Sequence, residues 1–305
     1  MTRPSSDVLD SIFGPEIIRR LKYAPATDSL RYRLYVVTRT QPREGRVPWL
    51  SAQRRAWSTF LCAAESCGLL AEPHGKDLRA RLADVDDDQF RAAMAECHAA
   101  WYLHSKLGLA VTPRPRGQGE SELEFLAKLP GGDVHIEVKS PLRVPVVDGV
   151  VHPVDDSDIL DRCLSDASKQ LKKSTRNLVM LVGRLTLGTI EMRGFFLKAF
   201  YASKKWVIDR RTGETRTVFE PTGRFLRVWP NEPGPRHTRI GGVLFVQETI
   251  RSTEPASPPE YRVDSDALMM HNPNAMSPLP EEVWGDCPQF VLRGDSLEWT
   301  DGHSL

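Results

Sequence analysis

Several common signals are missing from this 305-residue chain, and each absence removes a class of protein. There is no CxxC pair, and the five cysteines Cys62, Cys67, Cys97, Cys163 and Cys287 are an odd number. That spacing argues against structural zinc and against a disulfide framework, and predicts reduced thiols in a cytoplasmic protein. Cys62, Cys97 and Cys163 fall in apolar helical patterns, where a buried thiol behaves as a small hydrophobe. The N-terminus MTRPSSDVLDSIFG has no charged-then-apolar layout of a secretory leader. The longest apolar runs, bounded by Asn177 and Gly183 and by Gly241 and Val246, are buried-strand length, so no membrane partner is expected. P-loop, GxSxG and GxGxxG motifs are absent, which speaks against NTPase, serine-hydrolase and dinucleotide chemistry. His98, His104 and His135 lack metal-ligand spacing.

A net charge of +1 gives no global pull toward a polyanion. Its distribution is uneven. Between Arg162 and Arg216 thirteen Lys/Arg face four acids, whereas from Ile250 to Leu305 three Arg face ten. A basic middle segment permits a phosphate-binding face beside an acidic tail.

What is present is a change of hydrophobic period. Residues 1–86 read as a helical N-terminal region, best over Val8 to Ala24 and Trp49 to Leu70, with a Pro/Gly-containing loop from Gln41 to Pro48. A helix begins near Asp84 to Asp88, carries Phe90, Ala93, Met94, Cys97, Trp101 and His104 on one face, and stops at Gly108. From Leu109 the period falls to two. Strands are expected over Leu109 to Thr112, Glu122 to Leu129 and Asp133 to Lys139, the last two joined by a Pro130-Gly131-Gly132 turn. A helix from Ile159 to Lys173, a strand from Asn177 to Val182, a helix from Ile190 to Ser203, a polar hairpin from Trp206 to Phe219 and a strand from Ile240 to Gln247 follow. The division is 1–86 helical, 87–250 a mixed α/β core with helices on its faces, and 251–305 an acidic Pro/Ser-rich segment packed irregularly on the core.

Chemistry concentrates on one strand. With Val134, Ile136 and Val138 turned to the core, Glu137 and Lys139 share the other face. The preceding strand offers Glu122 and Glu124, also on one face, and folding about the glycine turn brings carboxylates of both strands together. Acids gathered near one lysine repel one another unless a cation lies between them, and a hard divalent ion takes oxygen ligands.

The segments AECHAAWYLHSKLGLAVTPRP, SELEFLAKL, VHIEVKS and SKQLKKSTRNLVMLVG occur in that order across residues 95–183. Together they resemble the PD-(D/E)xK, restriction-endonuclease-like nuclease superfamily, with no subfamily assigned. The resemblance implies a restriction-endonuclease-like mixed sheet flanked by helices. It also implies a Mg2+- or Mn2+-dependent nuclease acting on nucleic acid, DNA rather than RNA, in prokaryotic defence or DNA processing. Position by position it gives Glu96 as the glutamate of the first helix and Glu122 as the acid of the meander, where Ser121-Glu122 replaces Pro-Asp. Glu124 is the substitute ligand. Glu137 and the Val138 carbonyl complete the metal set, Lys139 orients the attacking water, and Gln170 is the second-helix glutamine. Lys169, Lys172 and Lys173 around it are placed to touch phosphates. Two alternatives stay open: a catalytically inactive nucleic-acid-binding module of the same fold, and a protein-interaction module.

Overall fold

The structure is a computed structural model that describes residues 6–25, 27–40, 47–113, 124–141, 156–171, 173, 175–183, 189–228, 234–235, 237–253, 260–294 and 296–300. Five helices come first: α1 (Ser6–Ile12), α2 (Pro15–Tyr23), α3 (Asp28–Thr38), α4 (Leu50–Ser66) and α5 (His74–Leu82). Gly14-Pro15 splits the expected Val8 to Ala24 helix in two, because proline cannot donate in a helix interior but is well suited to its first turn. Helix α6 (Asp87–Trp101) starts on the Asp86 side chain, which accepts from the amides of Asp88 (2.7 Å) and Gln89 (3.3 Å). It runs on through a π-helical turn, Tyr102–Lys106, to Gly108 at φ +65°.

The meander β1 (Ala110–Pro113), β2 (Phe125–Leu129) and β3 (Gly132–Lys139) follows, then α7 (Asp156–Gln170), β4 (Arg176–Val182) and α8 (Thr189–Phe200). A separate two-stranded hairpin, β5 (Ser203–Ile208) with β6 (Thr215–Glu220), precedes β7 (Gly242–Thr253), β8 (Glu260–His271), β9 (Gln289–Arg293) and β10 (Ser296–Thr300). The main sheet has eight strands in the order β1-β2-β3-β4-β7-β8-β9-β10. Its centre, β3-β4-β7, is parallel, and β2 and β8 run against it.

The tail therefore differs from the irregular packing expected of residues 251–305: three of the eight strands lie between Glu260 and Thr300. Tyr261, Val263, Ser265 and Ala267 alternate with Arg262, Asp264 and Asp266, a period-two pattern that the Pro/Ser content of its flanks obscures.

Alternation along the strands separates two cores. Val134, Ile136, Val138, Leu178, Met180, Leu244 and Val246 pack with helices α1 to α6 on one face. Val179, Leu181, Val243, Phe245 and Met270 pack with α7 and α8 on the other. The first cluster runs without a break from Leu9 and Phe60 through Cys97 to Ile136, so the helical region and the sheet bury their apolar surface together. Among the described residues no helix is long and apolar enough to cross a membrane.

His98 sits inside this first core at 3% exposure, its ring stacked on Phe60 at 4.2 Å and its Nε2 2.7 Å from the Ser265 hydroxyl. Burial pushes its pKa down from 6.5 to about 3, so the folded protein holds it neutral. As pH falls below about 6.5 the unfolded chain takes up the proton first, and stability falls from there toward pH 3. At pH 5 this group alone should remove about 2 kcal/mol. Urea unfolding of wild type and His98→Gln at pH 7.5 and 5 checks it: the variant should lose less on acidification. Equal losses would mean that His98 does not titrate in this range.

Candidate functional site

The parallel pairing of β3 with β4 fixes where the side chains of Glu137 and Lys139 point. Glu137 lies beside Val179 and Lys139 beside Leu181, both on the α7 face. Because helices cover both faces of the sheet, Glu137 is driven to 1% exposure while Lys139, at the strand end, keeps 23%. Lys139 Nζ lies 2.6 Å from Glu137 Oε1 and donates to Gln170 Oε1 at 3.1 Å. The last turn of α7 thus closes over the end of β3. Asp166 and Cys163, one and two turns earlier on the same helix face, both feel the Lys139 ammonium. Burial pushes the Cys163 thiol up, and the lysine opposes that shift. For Asp166 the hydrogen bond from Lys169 is the larger pull downward and Lys139 a smaller one.

The turn between β2 and β3 sets the second carboxylate. Pro130 and Gly131 (φ +83°) are the residues of a type II turn, and Leu129 pairs with Gly132 across it. The ladder then runs to Phe125 opposite Ile136. Continued by one residue, this register sets Glu124 opposite Glu137, on the same sheet face. Glu124 is half-buried there. Glu122, the sequence candidate, lies outside the described residues. The signal for Glu124 was in the chain: a two-residue Pro-Gly turn fixes the pairing by counting back from it.

Glu96 is not brought to this cluster. It belongs to α6, on the opposite face of the sheet, and its carboxylate is held bidentately by Arg81 of α5 at 2.5 and 3.1 Å. Lys169 is exposed and pairs with Asp166 at 2.8 Å, Lys173 is exposed, and Lys172 lies outside the described residues. Among the described residues no group of three or more His, Cys, Asp or Glu is gathered closely enough to hold a metal ion. Comparison with known proteins finds no matching family model, no similar curated protein and no similar solved structure.

The Arg81–Glu96 pair has its own consequence. Both side chains are largely buried, at 15% and 10% exposure, so removing the cation leaves a carboxylate short of compensation. Arg81→Met should cost about 3 kcal/mol in denaturant unfolding, and adding Glu96→Gln should recover much of it. A loss no larger than that of an exposed pair, under about 1 kcal/mol, would refute this role.

Proposed function

We propose that the chain is a divalent-metal-dependent nuclease of the restriction-endonuclease-like kind, hydrolysing phosphodiester bonds in DNA. The observation that carries the reading is the ammonium of Lys139 set 2.6 Å from the buried Glu137 carboxylate at the end of β3. The β2–β3 register, if continued one residue past Phe125, would set Glu124 opposite Glu137. Support also comes from the succession α6, β1, β2, β3, α7, β4, which follows the order that the PD-(D/E)xK resemblance implies. The Lys139–Gln170 hydrogen bond joins the second-helix glutamine to the same cluster.

The donor chemistry suits magnesium or manganese. Mg2+ is usually held by one or two carboxylates with waters and substrate phosphate completing the shell, and two glutamates meet that need without a third side chain. Glu137 and Glu124 would hold the ion, with the Val138 carbonyl available between the two charged residues of β3. When bound, the ion supplies positive charge to the scissile phosphate and lowers the barrier to attack by water.

Each side chain then has a separate task. Gln170, accepting from Lys139, fixes the direction of the ammonium. Lys139 donates to the attacking water and offsets charge growing on the phosphoryl oxygens. Were a cation held there, Glu137 would share its carboxylate between the ion and Lys139, leaving an ammonium N–H to hydrogen-bond to the water and orient it. The basic stretch from Arg162 to Arg216 supplies phosphate contacts on the α7 side, Lys173 among them.

Purified protein with plasmid or linear DNA and Mg2+ tests this. Lys139→Ala should lower cleavage at least about 100-fold and keep metal-dependent thermal stabilisation. Glu137→Ala should lose both. Glu124→Gln should fall as far as Glu137→Ala, whereas Glu122→Gln should stay within a few-fold of wild type. The reverse ranking would move the metal site two residues along the strand. If wild type shows neither cleavage nor stabilisation by Mg2+ or Mn2+, the nuclease reading fails and the inactive binding module takes its place.

A further inference from the structure

On the sheet face opposite Glu137 lies a cavity of about 630 Å3, within the range that holds small organic ligands. Its rim includes Ser140 and Pro141, directly after Lys139, and Val182 and Gly183 at the end of β4. It therefore opens at the carboxyl ends of parallel strands, where ligands of open α/β sheets are bound. A strand crossing the ends of β3 and β4 meets Lys139 on one side and this cavity on the other.

The walls are aromatic with spaced polar groups. Tyr32, Trp57 and Phe90 form one connected set, with ring centroids 6.1 Å apart for Tyr32–Trp57 and 5.3 Å for Trp57–Phe90. Arg33 covers the Phe90 ring at 4.4 Å and is 1% exposed. Its terminal nitrogens are bound by the Asp84 and Val85 carbonyls and by Asp87, while its Nε is buried with no hydrogen-bond partner. Gln53 donates to Glu248 at 2.7 Å in the same lining, and the exposed Arg91 stands at the rim.

A hydrocarbon would leave the buried Arg33 Nε without a partner, at a desolvation cost. Beyond Val246, and so at Glu248, β7 is paired among the described residues only with β8, and an extended peptide could add to that edge, but it would leave the aromatic walls without a flat ring to match them. A flat heteroaromatic ring with a hydrogen-bonding edge satisfies both features, and a phosphate attached to it would meet Arg91. We propose that this cavity takes one unstacked nucleobase of the nucleic acid strand, which holds the neighbouring backbone over the end of β3. The proposal rests on the nuclease reading for its substrate.

The test uses the full chain in the Lys139→Ala background, without metal. The probe is a single-stranded DNA oligonucleotide carrying one 2-aminopurine, together with dAMP and deoxyadenosine as separate ligands. Capture between aromatic rings should quench the 2-aminopurine on binding. Gln53→Leu, which removes an edge contact, should weaken oligonucleotide binding about tenfold and restore fluorescence. Because Gln53 is buried, Arg91→Ala serves as the variant that leaves the core intact. It should weaken dAMP and leave deoxyadenosine unchanged. An absence of quenching, or wild-type affinity in both variants, overturns the proposal. Plasmid cleavage by wild type with Mg2+ is scored separately. Cleavage without quenching removes the cavity alone, and quenching without cleavage removes the nuclease reading and keeps a base-binding site.

Discussion

A carboxylate at 1% exposure in a sheet covered on both faces is the constraint around which the rest is arranged. Moving such a group out of water costs several kcal/mol even after relaxation, so it persists only beside a compensating charge. Lys139 provides that charge at 2.6 Å, and the two residues sit on one face because a strand repeats every two. Three polar groups of α7 lie at the same end: Gln170 on the ammonium, with Cys163 and Asp166 within its field. The other face of β3, bearing Val134, Ile136 and Val138, is wholly apolar. Packing energy from that side holds the strand in place while the charged side remains strained by desolvation. Such a pair adds little net stability to the fold.

The two faces of the sheet divide the work by composition. Toward α7 the strand ends carry charge, and toward α6 they face aromatic rings and a buried arginine of α3, α4 and α6. Parallel strands bring both to the same edge, because β3 and β4 end together and the chain leaves each of them over the same rim. The strand proposed above, with an anionic backbone and flat bases, would match both sides of that rim.

Much of this was readable from the chain. The alternation from Asp133 to Lys139 gives the strand and the shared face of Glu137 and Lys139, and the stripe through Leu160, Leu164 and Ala167 gives the helix that brings Gln170. Two features were not read. The register of β2 was inferred from the family's acid position, and only the pairing of Leu129 with Gly132 turns it into Glu124 opposite Glu137. Glu96, half of a salt bridge with a residue fifteen positions away on another helix, is indistinguishable in sequence from an active-site glutamate, since both sit on an apolar face. The cavity was beyond reach for a different reason. Its walls come from segments as far apart as Tyr32 and Glu248, and no local period links them.

The tail also belongs to the site's mechanics. β4 carries Val179 and Leu181 beside the charged pair, and it is held on its far side by β7. β7 in turn is paired along twelve residues with β8, which β9 and β10 extend. Arg251 bridges Asp264 and Asp266 across the β7–β8 ladder, and Glu248 of β7 reaches the cavity wall through Gln53 of α4. Without β8 the edge of β7 would present a row of unpaired amides and carbonyls, and the apolar residues Val243 and Phe245 would lose their neighbours Leu268 and Met270. Part of the acidic charge of this segment is thereby held in internal pairs with arginine. What looks in sequence like an acidic appendage is the buttress that keeps β4, and through it Glu137 and Lys139, in register.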